Sequence, residues 1–256
     1  MENKIKVETM AWDENEARRM AGQLESQDAA QVLRWAAETF SPKIALASSF
    51  GAEDVVVIDL ISRTQPAISV FTLDTGRLHE ETYEVMDRIR ARYGIEIVSF
   101  FPQKNAVEKL EREKGFYSFR ESIANRRECC AIRKVEPLNR ALSGLDAWVT
   151  GLRREQSTTR LRLEKVEIDE GHGGMAKINP LADWTTEQVW DYIRKNDVPY
   201  NKLHDQNFPS IGCAPCTRAV RPGEDIRAGR WWWEMPDHKE CGLHIKPNKE
   251  ESQKNG

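Results

Sequence analysis

An α/β architecture built on a parallel, Rossmann-like sheet is predicted by three observations. Short apolar runs at Ile44–Ala47, Ile68–Phe71, Ile95–Phe100 and Ala147–Val149 are separated by amphipathic segments at 53–63, 78–93 and 104–113. That alternation is the pattern of βαβ units, in which strands buried on both faces read as continuous apolar stretches. Three of the four runs lead into small, polar, Gly-containing turns, and in such sheets ligands bind beyond the carboxyl ends of the strands. The loops opening at Ser48, Asp74 and Gly151 are therefore expected to share one cleft. A chain of 256 residues with 39% hydrophobic content can bury one sizeable core.

In chain order, residues 1–40 read as a helical lead-in, because Ala17, Met20, Leu24, Val32, Leu33 and Trp35 recur among charges over 13–40. The α/β domain follows over 41–235. Glu164–Asp169 and Met175–Ile178 flank Glu170-Gly171-His172-Gly173-Gly174 and predict a hairpin beyond the sheet. Thr185–Lys195 predicts a helix, with a capping arrangement from Thr185 to Gln188. Pro199, Pro209, Pro215 and Pro222 then leave little room for regular structure, and 236–256 is expected to form a mobile C-terminal tail.

The net charge is −3, with both signs interspersed, so the chain lacks the basic footprint of a non-specific nucleic-acid binder. Residues 1–20 have no apolar signal core, and no run approaches the roughly 18 apolar residues of a membrane span. A soluble, cytoplasmic protein with reduced thiols is the expectation, since an odd cysteine count without a secretion signal argues against a disulfide scaffold.

The five cysteines form a vicinal pair, Cys129-Cys130, a Cys213-Ala214-Pro215-Cys216 knuckle and a lone Cys241. Buried, inert thiols are the bland alternative, since free Cys is commonly buried. Four thiolates from two distant segments instead fit a tetrahedral metal or an iron–sulfur cluster. Zinc sites usually draw on two separated Cys-x2–4-Cys knuckles, which adjacent cysteines do not make, so iron–sulfur ligation is favoured. Cys241 is then free to act as a nucleophile, and His244, three residues later, is placed to lower its pKa or orient a partner.

Ser48-Ser49-Phe50-Gly51-Ala52-Glu53-Asp54 joins a strand to a helix, where backbone N–H groups and hydroxyls can approach an anion. It lacks the Lys of a Gly-x4-Gly-Lys-Ser loop, and strand-to-helix turns are often small for structural reasons alone. Leu73-Asp74-Thr75-Gly76-Arg77 and Thr150-Gly151, running on to Arg160, repeat the theme and together raise the case for a nucleotide. Lys134 and the group Arg218, Arg221, Arg227 and Arg230 bring cations near the cysteines, although a solvated basic face has the same composition. Trp231-Trp232-Trp233 reads as packing rather than base stacking.

The stretch Ser210-Ile211-Gly212-Cys213-Ala214-Pro215-Cys216-Thr217-Arg218, then Gly229-Arg230-Trp231-Trp232-Trp233-Glu234 and Glu240-Cys241-Gly242-Leu243-His244, resembles the assimilatory sulfonucleotide reductases. The resemblance runs from about Ser41 onward and implies the PP-loop, adenine nucleotide alpha hydrolase type of fold. It implies reduction of adenosine 5′-phosphosulfate (APS), or its 3′-phosphorylated form (PAPS), to sulfite with thioredoxin. Cys-Cys plus Cys-x-x-Cys marks the branch with one [4Fe–4S] cluster, held here by Cys129, Cys130, Cys213 and Cys216, and favours APS. Cys241 is the implied nucleophile, with His244 beside it. Ser48, Ser49, Phe50, Gly51, Leu73, Asp74, Thr75, Gly76, Lys134, Gly151, Arg160, Arg227 and Arg230 are the expected substrate contacts. Self-association into a homo-oligomer is compatible with all of this. The related ATP pyrophosphatases carry a Ser-Gly-Gly-x-Asp-Ser-like turn, from which Ser48–Asp54 departs by placing acids where a triphosphate would gather charge. A nucleic-acid-binding regulatory module is opposed by the missing basic surface.

Overall fold

The computed structural model describes residues 14–65, 67–157 and 160–235. Strands β1 (Ile44–Ala47), β2 (Ser69–Leu73), β3 (Ile97–Phe100), β4 (Ala147–Val149), β5 (Val166–Asp169) and β6 (Met175–Ile178) form one sheet in the order β3-β2-β1-β4-β6-β5. All pairs are parallel except β5 with β6. Helix α3 (Ala52–Thr64) carries the chain from β1 to β2, and α4 (Glu80–Tyr93) from β2 to β3. The chain then returns through α5 (Lys104–Lys114), α6 (Ile123–Cys130) and α7 (Glu136–Leu142) to β4, on the far side of β1. The winding direction thus reverses between β1 and β4, which is where an open α/β sheet leaves a crevice for a ligand.

The apolar runs form strands because both sheet faces are covered. Leu46, Val70 and Val149 pack with Val55, Val56 and Ile58 of α3 on one face; Ala45, Phe71 and Trp148 meet Leu138 and Leu142 of α7 on the other. The lead-in is two helices, α1 (Glu14–Leu24) and α2 (Ala29–Phe40), rather than a continuous one. The break falls at Asp28, whose side chain caps Gln31 N while the Gln31 side chain returns to Asp28 N. Helix α1 lies along β5, so it covers a sheet edge that would otherwise be open to pairing.

The hairpin predicted beyond the sheet is part of it, because β6 pairs in parallel with β4. Its turn passes through a 3-10 segment, Glu170–His172, and Gly173 and Gly174 at φ 75 and 78, where a side chain is strained. Helix α8 (Thr186–Asn196) has the expected reciprocal cap between Thr185 and Gln188 and packs on α3. No described helix is long and apolar enough to cross a membrane.

Candidate active site

The ladder hydrogen bonds continue past the strand ends and set the three turns at one edge. Ser48 N donates to Phe71 O at 2.9 Å, Asp74 N to Phe100 O at 3.0 Å and Thr150 N to Ile178 O at 2.9 Å. They border a cleft with about 340 Å³ of space for the centre of a water molecule. Ser48, Ser49, Gly51, Leu73, Thr75, Lys134, Gly151, Arg160, Arg227 and Arg230 all line it.

Three expected contacts stand behind the wall instead. Phe50 is wholly buried in the core, at φ 58, and this turn brings Ser48 and Ser49 to the surface of the cleft. The Asp74 carboxylate accepts from Tyr83 Oη at 3.0 Å and from Gly76 N at 2.8 Å, so it ties the second turn to α4. Gly76 supplies the left-handed corner, φ 70, of that same turn. These residues shape the backbone that presents Thr75.

The acids of the first loop are satisfied internally. Asp54 accepts from Ser49 N at 2.6 Å and Ser49 Oγ at 2.8 Å, while burial lifts its pKa to about 6 despite those bonds. Glu53 takes two bonds from the buried Arg153 guanidinium, at 2.9 and 2.7 Å. A Cβ on Gly151 would run into the Asp54 carboxylate, so β4 and α3 can close on each other only with glycine there. Thr150 and Arg153 of the third turn also line the cleft, as do Trp190 and His204, to which no sequence signal points. Burial holds the His204 imidazole below its usual pKa, and its Nδ1 lies 2.8 Å from Phe208 O.

One wall of the cleft is a cysteine centre. Helix α6 ends on Cys129-Cys130, and the chain widens at once into a π-helical turn, Ala131–Val135, before α7. Neighbouring residues on an α-helix point about 100° apart. The π turn redirects the chain directly after the pair and brings Arg133 and Lys134 to the same cavity. Cys213 and Cys216 flank a 3-10 turn with Cys216 N donating to Cys213 O at 2.9 Å. Its position is fixed by Ala214 N donating to Arg77 O at 2.8 Å and Trp231 N donating to Cys216 O at 3.1 Å. An isolated antiparallel bridge, Thr217 to Arg230, sets Arg230 and Trp231 beside it.

None of the four thiols is in a disulfide, and all line one small cavity together with Arg77, Arg126, Arg133 and Lys134. Burial raises the Cys129 pKa and pushes Cys216 up to about 12, with the nearby Cys213 adding to the latter. Left to themselves such thiols keep their protons, so thiolates here call for a bound cationic group. Thr75 Oγ1 lies 3.2 Å from Cys213 Sγ. Arg126 makes a buried two-point pair with Glu234 at 2.8 and 2.9 Å, and Arg133 and Arg77 share Glu111 at 2.7 and 3.0 Å. Among the described residues, no group of three or more His, Cys, Asp or Glu side chains is arranged to hold a metal ion. The donor chemistry nonetheless suits an iron–sulfur cluster, which takes Cys thiolates and gains from nearby cations that offset its charge. Cys241 and His244 lie outside the described residues.

Fold and site together define a doubly wound α/β protein whose cleft, at the point of winding reversal, has a cysteine centre as one wall. The phosphoadenosine phosphosulfate reductase domain matches residues 43–219. The chain is 57% identical over 203 residues to an adenosine 5′-phosphosulfate reductase of Burkholderia cepacia, covering 79% of this chain and 81% of that one. It is 44% identical to the chloroplastic 5′-adenylylsulfate reductase 1 of Arabidopsis thaliana, over 93% of this chain and 53% of the plant protein. A solved phosphoadenylyl-sulfate reductase from Candida auris, in complex with phosphate, superposes with TM-score 0.72 at 30% identity, covering 83% of this chain and all of that one. The chain belongs to the phosphoadenosine phosphosulfate reductase family.

Proposed function

We propose that this enzyme reduces APS to sulfite and AMP, with thioredoxin as electron donor, in sulfate assimilation. The observation that carries this reading is a shared wall: Lys134, Cys213 and Trp231 line both the nucleotide-sized cleft and the cysteine cavity. An anionic ligand in the cleft therefore lies against the cysteine centre, with Arg160, Arg227 and Arg230 also facing it. The names of the curated relatives, for APS in bacteria and 5′-adenylylsulfate in plants, support APS as substrate.

Cys129, Cys130, Cys213 and Cys216 would hold one [4Fe–4S] cluster. When bound, it supplies a fixed charge distribution and a rigid anchor at the substrate wall, while thiols supply the electrons. Ser48, Ser49, Gly51, Leu73, Thr75 and Gly151 form the nucleotide side of the cleft, and Lys134 with the arginines neutralises the phosphosulfate. Cys241, as thiolate, attacks the sulfate sulfur. A sulfur–sulfur bond forms, the bond from that sulfur to the bridging oxygen breaks, and AMP leaves with the electron pair. His244 orients or activates the thiol. A thioredoxin thiolate then attacks Cys241 Sγ, sulfite departs with the electron pair of the sulfur–sulfur bond, and the second thioredoxin thiol closes a disulfide that frees Cys241. The sulfate sulfur is reduced by two electrons and two thiols are oxidised to one disulfide.

The test is sulfite release from APS and from PAPS with reduced thioredoxin. A clearly higher kcat/KM with APS is expected. Equal or greater efficiency with PAPS overturns the substrate assignment, and no sulfite from either overturns the reaction.

A further inference from the structure

We propose that an exposed aromatic face on the outer side of the cysteine centre is the docking surface for the dithiol protein that discharges Cys241. This rests on the function proposed above. Phe116, Tyr117, Trp232 and Met235 are 66, 60, 38 and 71% exposed. Arg120 joins two of them, its guanidinium lying 5.0 Å from the Tyr117 ring and 5.3 Å from the Trp232 ring; Phe116 precedes Tyr117 in the chain and Met235 follows Trp232 by three positions. Behind this face, Phe119 and Trp233 turn inward and pack with Cys129 and Cys216. Arg120 also donates to Pro215 O at 3.1 Å, between the two cysteines of the knuckle. The face is thus a firmly backed set of large apolar side chains left in water, with Tyr, Trp, Met and Arg, the residue types enriched at protein interfaces.

The length of chain beyond it argues for the occupant. Met235 is the last described residue, three positions after Trp232, and Cys241 follows six positions later. Six residues span at most about 20 Å even when fully extended, so a protein thiol attacking Cys241 must come within that reach of Met235. The fitting partner is a small protein whose reactive dithiol is surrounded by apolar surface. The contact gives such a protein an advantage that a small dithiol does not need.

The test uses the full chain, with thioredoxin as probe. Phe116→Ser combined with Met235→Ser removes apolar area from two exposed positions, and Met235→Ser alone serves as the milder variant. Calorimetric titration should show thioredoxin affinity weakened about 10-fold or more in the double variant, as for loss of interface anchors. The KM for thioredoxin should rise in step, with iron content and the rate with dithiothreitol unchanged. Unchanged affinity in both variants, or no saturable binding to the wild-type chain, overturns the proposal. A changed oligomeric state with unchanged affinity also overturns it, by assigning the face to a second copy. Failure of the proposed function reads differently: no sulfite forms with either reductant, whatever the titration shows.

Discussion

The cleft and the cysteine centre share a wall but are built on opposite plans. The cleft forms where regular elements end: Ser48 follows β1, Leu73 closes β2 and Thr150 follows β4, all fixed by continuation of the sheet ladder. The cysteine centre forms where regularity fails, on a π turn, a 3-10 turn and a single β-bridge. Their electrostatics differ as well. In the cleft's first loop, Glu53 is matched by Arg153 and Asp54 by Ser49. Around the thiols, cations converge on a cavity where burial raises the pKa of Cys129 and Cys216. The acids of the first region are paired within the fold, while the second gathers four cysteines and several cations in one small cavity.

Cys213 belongs to both regions, and its replacement should have the largest effect. Cys213→Ser should remove the bound iron and lower sulfite release well beyond the roughly 10–100-fold that loss of an outer-shell contact costs a metal site. Iron analysis and a sulfite assay check this. Full activity in a colourless variant would separate the two regions.

Asp54 tests the cleft alone. Its pKa is about 6 in the fold against the ordinary aspartate value of 3.8. Between these values the folded state binds a proton that the unfolded state has lost. Its contribution to stability therefore falls as pH rises from about 4 to about 6 and is level above that, a cost of about 3 kcal/mol at neutral pH. Asp54→Asn should flatten that part of the stability profile, read by denaturant melts across the window. An unchanged slope contradicts the assignment.

Gly151→Ala should cost about 1–3 kcal/mol through overpacking against Asp54 and weaken nucleotide binding, with iron content retained. Equilibrium denaturation and an AMP titration measure both effects. The smallest change is expected away from both regions. Asp28→Ala removes the α2 cap, should cost about 1 kcal/mol and should leave kcat/KM unaltered.

The two plans also explain what was legible in the sequence. Strands β1 and β4 appear where their apolar runs stand, and the Thr185 cap is present, because local patterning decides both. The β5–β6 hairpin was legible as a hairpin but not as part of the sheet, since pairing of β6 with β4 is a long-range event. At the cysteines, residue identity pointed to one shared site, which the structure brings together, while periodicity was silent about its support. Helix α6 hides Arg126, and the π turn hides Arg133, behind carboxylates distant in sequence, Glu234 and Glu111. A charged residue buried by such a partner leaves no mark on an apolar pattern. The turns were legible as a cleft, but not which of their residues face it: Phe50, Asp74 and Gly76 hold the backbone that presents their neighbours.

The central claim is that a thiol outside the cysteine centre does the chemistry on a substrate held against it. Mass analysis of the full-length protein after incubation with APS, without reductant, tests this most directly. One SO3 group per chain is predicted on the peptide containing Cys241, discharged as sulfite when reduced thioredoxin is added and absent in Cys241→Ser, which keeps its iron and still binds APS. An adduct on another residue, or turnover without any adduct in the wild-type chain, would contradict it.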